Sequence, residues 1–172
     1  MKNYLSVVVV LLVPLLAFAQ TVNPDIENIT PDSRYTLHDD GTVTDNETRL
    51  MWLQCSEGQV WEPNGGAGNC TGAATTYTWS DALTLTSGIS VAGYSDWRLP
   101  NIKELSSLVA EDRLDPAINL AIFPATPSSS FWSGSPEAGR DGYSWTVEFE
   151  YGADFSRQRN AYYHVRLVRH LP

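Results

Sequence analysis

Hydrophobic and polar positions change period several times along this chain. From Ser6 to Phe18 the run SVVVVLLVPLLAF is almost unbroken apolar sequence behind a single positive residue, Lys2. Small residues follow at Ala17 and Ala19, the arrangement of a secretory signal peptide, so residues 1–19 are expected to be removed after Ala19. The apolar run is about 13 residues long, short of the roughly 20 needed to span a bilayer. Residues 20–32 carry Asn-Pro and Thr-Pro pairs with acidic residues and no periodicity, which predicts a flexible lead-in. One domain is then expected over residues 33–172.

Within it, Tyr35 to Leu37 and Thr42 to Thr44 flank Asp40-Gly41, a hairpin signal. Leu50 to Leu53 (LMWL) predicts a short buried strand. Residues 58–76, rich in Gly, Asn, Thr and Ala, predict a long surface loop. Ser80 as N-cap and Asp81 in the first turn predict a helix from Asp81 to about Thr86, stopped by Gly88. Pro100 at the first helical position, with an apolar stripe of Ile102, Leu105, Leu108 and Val109, predicts a second. Pro116, Pro124 and Pro127 punctuate an irregular connection. Strands are expected over Phe131 to Ser133, Ser144 to Glu150 and Ala161 to Arg169. In the second, Trp145, Val147 and Phe149 point inward and Thr146, Glu148 and Glu150 outward; in the third, Tyr163, Val165 and Leu167 oppose Tyr162, His164 and Arg166. The order is a hairpin, two helices and then antiparallel strands, an α+β pattern.

Charge removes partners more than it supplies them. Eleven Lys and Arg against twenty Asp and Glu give a formal net charge of −9. That balance lacks the basic footprint that nucleic acid requires and disfavours anionic membrane surfaces. The two cysteines, Cys55 and Cys70, fall in the exported part and read as a disulfide in an oxidising compartment. Glu57, Glu62 and Asn64 between them include no His to complete a metal site.

Four stretches carry a resemblance. They are DDGTVTDNETRLMW from Asp39, GYSDWRLPNIKELSSLV from Gly93, FWSGSP from Phe131 and YHVRLVR from Tyr163. In that order the chain resembles the C-terminal domain family of the Legionella collagen-like adhesin over roughly Tyr35 to Arg169. The most specific block is Trp97-Arg98-Leu99-Pro100 with Glu104-Leu105. Physically, Trp97 is expected to pack on the first helical turn, with Arg98 held by Glu104 or Asp96. The resemblance implies a C-type-lectin-like fold: a small twisted antiparallel sheet, two flanking helices, long loops, and pairing of the N- and C-terminal strands. Adhesion or carbohydrate and surface-ligand recognition is the expected role, on the thin catalytic inventory and the aromatic, Arg-bearing segment Tyr151 to Tyr163. The closing VRLVR is similar to the end of formylglycine-generating-enzyme-like domains. That activity needs a reactive cysteine pair in the C-terminal half, and both cysteines here lie early in the chain.

The inventory for catalysis is thin. His38, His164 and His170 are the only histidines, and no nucleophile-elbow, zinc-helix, phosphate-loop or dinucleotide fingerprint occurs. Glu148 and Glu150 read as solvated carboxylates on one strand. Glu62-Pro63-Asn64 matches the Ca²⁺-ligating triplet of sugar-binding C-type lectins, but it precedes both helices and no Trp-Asn-Asp element accompanies it. Asp39, Asp40, Asp45, Asn46 and Glu47 cluster at the first hairpin, where turn chemistry explains them better than metal binding. No cofactor is expected, with Ca²⁺ the sole candidate. The segment Tyr151 to Tyr163 is read as a loop bearing the binding site: Tyr151, Asp154, Arg157, Arg159, Asn160 and Tyr162 join aromatic faces to planar Arg and amide groups. A glycan or surface protein is the expected partner, with self-association as an alternative. The expected setting is secreted, cell-surface or periplasmic, with no membrane span after signal cleavage. The alternative role is a structural or accessory subunit of a surface assembly.

Overall fold

The computed structural model describes residues 20–63 and 68–171. The signal peptide expected over residues 1–19 lies outside them, as does Asn64 of the Glu-Pro-Asn triplet. Among the described residues no helix is long and apolar enough to cross a membrane.

Residues 20–32 lie along the domain. The strand β1 (Thr21–Val22) pairs with a later segment, Gln20 donates to the carbonyls of Pro116 (2.6 Å) and Ile118 (2.7 Å), and Thr30 is buried. The expected first hairpin forms as β2 (Tyr35–Leu37) and β3 (Thr42–Asp45), and the LMWL run forms β4 (Leu50–Leu53). All four β4 residues are buried, because pleating sends Leu50 and Trp52 into one core cluster and Met51 and Leu53 into the other.

The expected 58–76 loop is instead organised around a second hairpin, β5 (Val60–Glu62) and β6 (Asn69–Thr71), followed by β7 (Thr76–Tyr77). The Cys55–Cys70 disulfide, with Cα atoms 5.4 Å apart, ties this hairpin to the end of β4. Gly and Asn content had suggested irregular chain; the crosslink and the Val60–Thr71 pairing supply the order that local propensity does not. Reducing the bond releases a loop of separation 15. Unfolding with and without reductant should therefore show a loss of about 3 kcal/mol.

Both helices are displaced from their expected starts. Helix α1 (Trp79–Leu85) is capped by Thr78, whose hydroxyl accepts from the Asp81 amide, so Ser80 lies inside the first turn. Trp79 can enter the helix because its indole N–H finds Ser133 O at 2.9 Å. Helix α2 (Ile102–Ser106) is capped by Asn101 in a capping box with Glu104. Pro100 stays outside, its carbonyl accepting from Gly134 N at 2.7 Å. Leu108 and Val109 complete the apolar stripe from beyond the helix end. Trp97 packs against Tyr94, with its indole N–H on Val91 O, in the second core cluster. Arg98 forms a two-pronged contact with Glu104 (2.7 and 2.8 Å), while Asp96 takes Arg169 (2.7 Å).

Strand β8 (Arg113–Leu114) receives β1, and β9 (Ser130–Pro136), β10 (Tyr143–Glu148) and β11 (Ala153–Gln158) follow as an antiparallel meander. The expected single closing strand is two: β12 (Tyr163–His164) joins the five-stranded sheet β11-β10-β9-β12-β7, and β13 (Val168–His170) joins the four-stranded sheet β13-β4-β3-β2. The chain crosses between sheets at 165–167. There Val165 O accepts from Glu57 N and Leu167 O from Leu53 N. Alternation set Arg166 on the face opposite Val165 and Leu167; the crossing buries all three. Similarly, β10 lies between β9 and β11, so Thr146 is buried with its hydroxyl on Phe155 O (2.9 Å), whereas Trp145 is only half-buried.

Among the described residues the architecture is mostly sheet with two short α-helices, α+β with nearly all pairing antiparallel; the one parallel pairing there joins β12 to β9.

Candidate functional site

The segment read as a loop from Tyr151 to Tyr163 is largely strand, with β11 forming an edge of the five-stranded sheet. Of the six expected residues only Asp154 and Arg157 lie in β11, on opposite faces of a strand about 20 Å long; Tyr151 precedes it and Arg159, Asn160 and Tyr162 follow it. Tyr151 stands exposed before β11, its hydroxyl donating to Glu150. That contact, made stronger by the carboxylate charge, raises the Tyr151 pKa. Asp154 turns toward α2 and accepts from Ser106 Oγ at 2.8 Å. Arg157 points to the opposite face, its guanidinium 4.8 Å from the Phe155 ring centroid and 3.8 Å from Glu148. Tyr162 is 65 % exposed beyond the other end.

Arg159 and Asn160 meet groups that the sequence did not single out. The Arg159 guanidinium stacks on Trp79 at 4.2 Å, and its Nε donates to Ser144 Oγ (2.8 Å) and Tyr143 O (3.2 Å). A backbone bond from Trp79 N to Arg159 O (3.0 Å) fixes the two elements together. Arg140 stacks on the Tyr143 ring at 3.6 Å, and Gln158 donates to the Tyr143 hydroxyl at 2.9 Å. Gly142, Tyr143, Gln158, Arg159 and Asn160 line an open depression of about 380 Å³. Two arginine-on-aromatic stacks therefore flank a shallow surface of amide, hydroxyl and backbone groups. Strand register brings Arg157 opposite Ser144 and Gln158 opposite Tyr143. The only sequence signal for the missed partners was aromatic and Arg enrichment in the 140–145 hairpin.

Ionisable groups elsewhere are engaged separately. His38 bonds Thr44 Oγ1 (3.0 Å), His170 meets Arg98 (2.8 Å), and His164 contacts Thr75 O (3.3 Å). Burial lowers the His164 pKa, partly offset by that carbonyl. Glu148 accepts from Ser130 Oγ at 2.6 Å, apart from Glu150 on its tyrosine. In the acidic cluster, Asp45 pairs with Arg34 while Asp40 accepts from the Thr42 amide and hydroxyl. Among the described residues no group of three His, Cys, Asp or Glu converges to hold a metal ion.

A family model described as the Lcl C-terminal domain matches residues 41–169, well over half the chain. No curated protein matches it.

Proposed function

The chain belongs to the Lcl C-terminal domain family, and on that premise we propose that it is a non-catalytic, surface-associated binding domain that recognises carbohydrate. The observation carrying this reading is the pair of stacks, Arg159 on Trp79 and Arg140 on Tyr143, around the depression lined by Gln158 and Asn160. The stacks hold the guanidinium groups in place, and these with the Gln158 and Asn160 amides and the Tyr143 phenol donate to sugar hydroxyl, carboxylate or sulfate oxygens. Arg157, held beside Glu148, stands outside that depression.

A C-type-lectin-like fold is part of the proposal. Pairing of the closing strand β13 with the early strand β4, and the two helices between the early and late strands, support it. The disulfide supports an oxidising, extracellular or surface location.

A glycan array probed with the oxidised chain tests the reading. Arg140→Ala, at a half-exposed side chain, should weaken retention about tenfold with the melting temperature nearly unchanged. Arg159→Ala should abolish retention, and Arg157→Ala should leave most of it. Undiminished binding by both Arg140→Ala and Arg159→Ala would falsify the site.

One observation favours a second reading, a subunit of a surface assembly: β11 is a six-residue edge strand flanked by the exposed Tyr151 and Tyr162. A stable oligomer by light scattering, with no array signal, would replace the carbohydrate reading.

A further inference from the structure

Between the first hairpin, the disulfide-closed hairpin and the connection after α1 lies a half-enclosed pocket of about 170 Å³. Leu53, Trp61, Ile89 and Val91 form its apolar walls, and Asp40 and Glu57 are its ionisable groups. It shares no residue with the depression around Arg159.

The walls are positioned independently of any ligand. Trp61 leans on Gly41, where a Cβ would come within 2.7 Å of the indole; the turn also holds Gly41 at φ +83°. The indole N–H donates to Asp39 O at 3.2 Å, which fixes the ring's direction. Glu57 is clamped through its main chain: its N–H donates to Val165 O (2.9 Å) and its carbonyl accepts from Thr75 N (2.8 Å).

The two carboxylates differ in what they already hold. Asp40 Oδ1 accepts from the Thr42 amide (3.0 Å) and hydroxyl (2.7 Å). Glu57 has only burial acting on it, which raises its pKa, with no donor or cation among the described residues to offset that. The Glu57 side chain is partly exposed to solvent and takes no hydrogen bond or ion pair from the described chain, so its carboxylate is available to a cation that enters the pocket. The neighbouring polar side chain, Gln59, is occupied at both ends, by Ser56 N and by Ala125 O.

We propose that this pocket binds an alkylammonium group, of the kind that ends a lysine side chain, with the nitrogen on Glu57 and the apolar stem between Leu53, Trp61, Ile89 and Val91. A primary ammonium on a slender methylene stem fits a half-enclosed space of about 170 Å³ with apolar walls, the stem along the walls and the charged head on the carboxylate.

The test titrates the full oxidised chain with n-butylammonium and with its uncharged counterpart n-butanol. The Trp61 indole N–H proton resonance, identified by its loss in Trp61→Phe, is the readout. Saturable binding of butylammonium is expected, about tenfold weaker in Glu57→Gln, and about tenfold weaker for n-butanol on the unaltered chain. Affinity should also fall on acidification as Glu57 takes up its proton, an arm that stands even if the variant misfolds. Equal affinity in Glu57→Gln, equal binding of n-butanol, pH-independent affinity, or no saturable shift overturns the proposal.

Discussion

Arg166→Met should lower the stability of this domain by about 3 kcal/mol and its melting temperature by roughly 6–12 °C. The guanidinium is fully buried and pairs with no carboxylate among the described residues. Its Nη1 donates to Leu53 O (2.9 Å) and to Gln54 O, and its Nη2 to Thr126 Oγ1 (2.7 Å) and Ser56 Oγ (3.3 Å). The rings of Phe123 and Phe131 lie 4.8 and 5.9 Å from it. Desolvation pushes its pKa down to about 9, still above neutrality, so the group stays charged. Methionine removes the cost of burying a charge, an effect that sometimes makes such replacements neutral. Here the second effect wins, because two backbone carbonyls and two hydroxyls lose their donor in a dry interior, at about 1–3 kcal/mol for each acceptor left orphaned. Arg166→Lys should fail as well, since one compact ammonium cannot reach both the 53–54 carbonyls and the Ser56 and Thr126 hydroxyls. Denaturant midpoints read both variants. A methionine variant as stable as the parent would show that the buried charge is not what holds the β4 end, the sheet crossing and the 123–126 segment together.

Asp45→Ala should destabilise by about 3 kcal/mol, because it leaves the nearly buried Arg34 with only the exposed Glu47, 3.5 Å away, as an ionic partner. Asp45 is fully buried and Arg34 nearly so, in a bidentate contact of 2.9 and 2.5 Å. Asp45 Oδ1 also accepts from the amides of Glu47 (3.0 Å) and Thr48 (3.3 Å), so the same carboxylate holds the β3–β4 turn. Burial by itself raises the Asp45 pKa, but hydrogen bonds from Arg34 and Thr48 and the Arg34 charge outweigh it and leave the value lowered. A depressed folded-state pKa contributes stability that is complete above the unfolded value, about 3.9, and is lost as pH falls through the folded one. Glu104, held below its ordinary value by Arg98 and the Asn101 amide against the effect of burial, adds in the same direction. Glu57 has the opposite sign, since its raised pKa costs stability once pH climbs past the ordinary glutamate range. Denaturation measured from pH 7 down to about pH 3 should show the parent losing stability steeply and the Asp45→Ala variant, already destabilised, losing much less. Parallel curves for the two proteins would remove Asp45 as the acid-sensitive group.

How much of this was legible beforehand depended on whether a signal was local. The Asp40-Gly41 turn, the buried LMWL strand and the disulfide pairing were readable because turn chemistry, an unbroken apolar run and an even pair of cysteines each act over a few residues. The helix starts were each misplaced by two residues, because Thr78 and Asn101 compete with equally plausible neighbours and the backbone decides. The binding segment was readable as composition but not as shape. Asp154 and Arg157 are three apart on a strand, so pleating sends them to opposite faces, while Trp79, some eighty residues earlier, supplies the surface on which Arg159 lies.

The amino-acid sequence by itself determined the family resemblance, the acidic character, the paired cysteines and the order hairpin, helices, strands, because each is written in residue types and short-range periods. Only the tertiary structure decided that the last strand divides between two sheets, that Arg166 is interior, and that Glu57 faces an apolar pocket with no cation beside it. For the first two the physical reason is that a strand's period names two faces, but which face is buried, and against what, depends on chain brought in from more than a hundred residues away; for Glu57 it is that a turn residue has no face until the hairpins and the segment after α1 close around it.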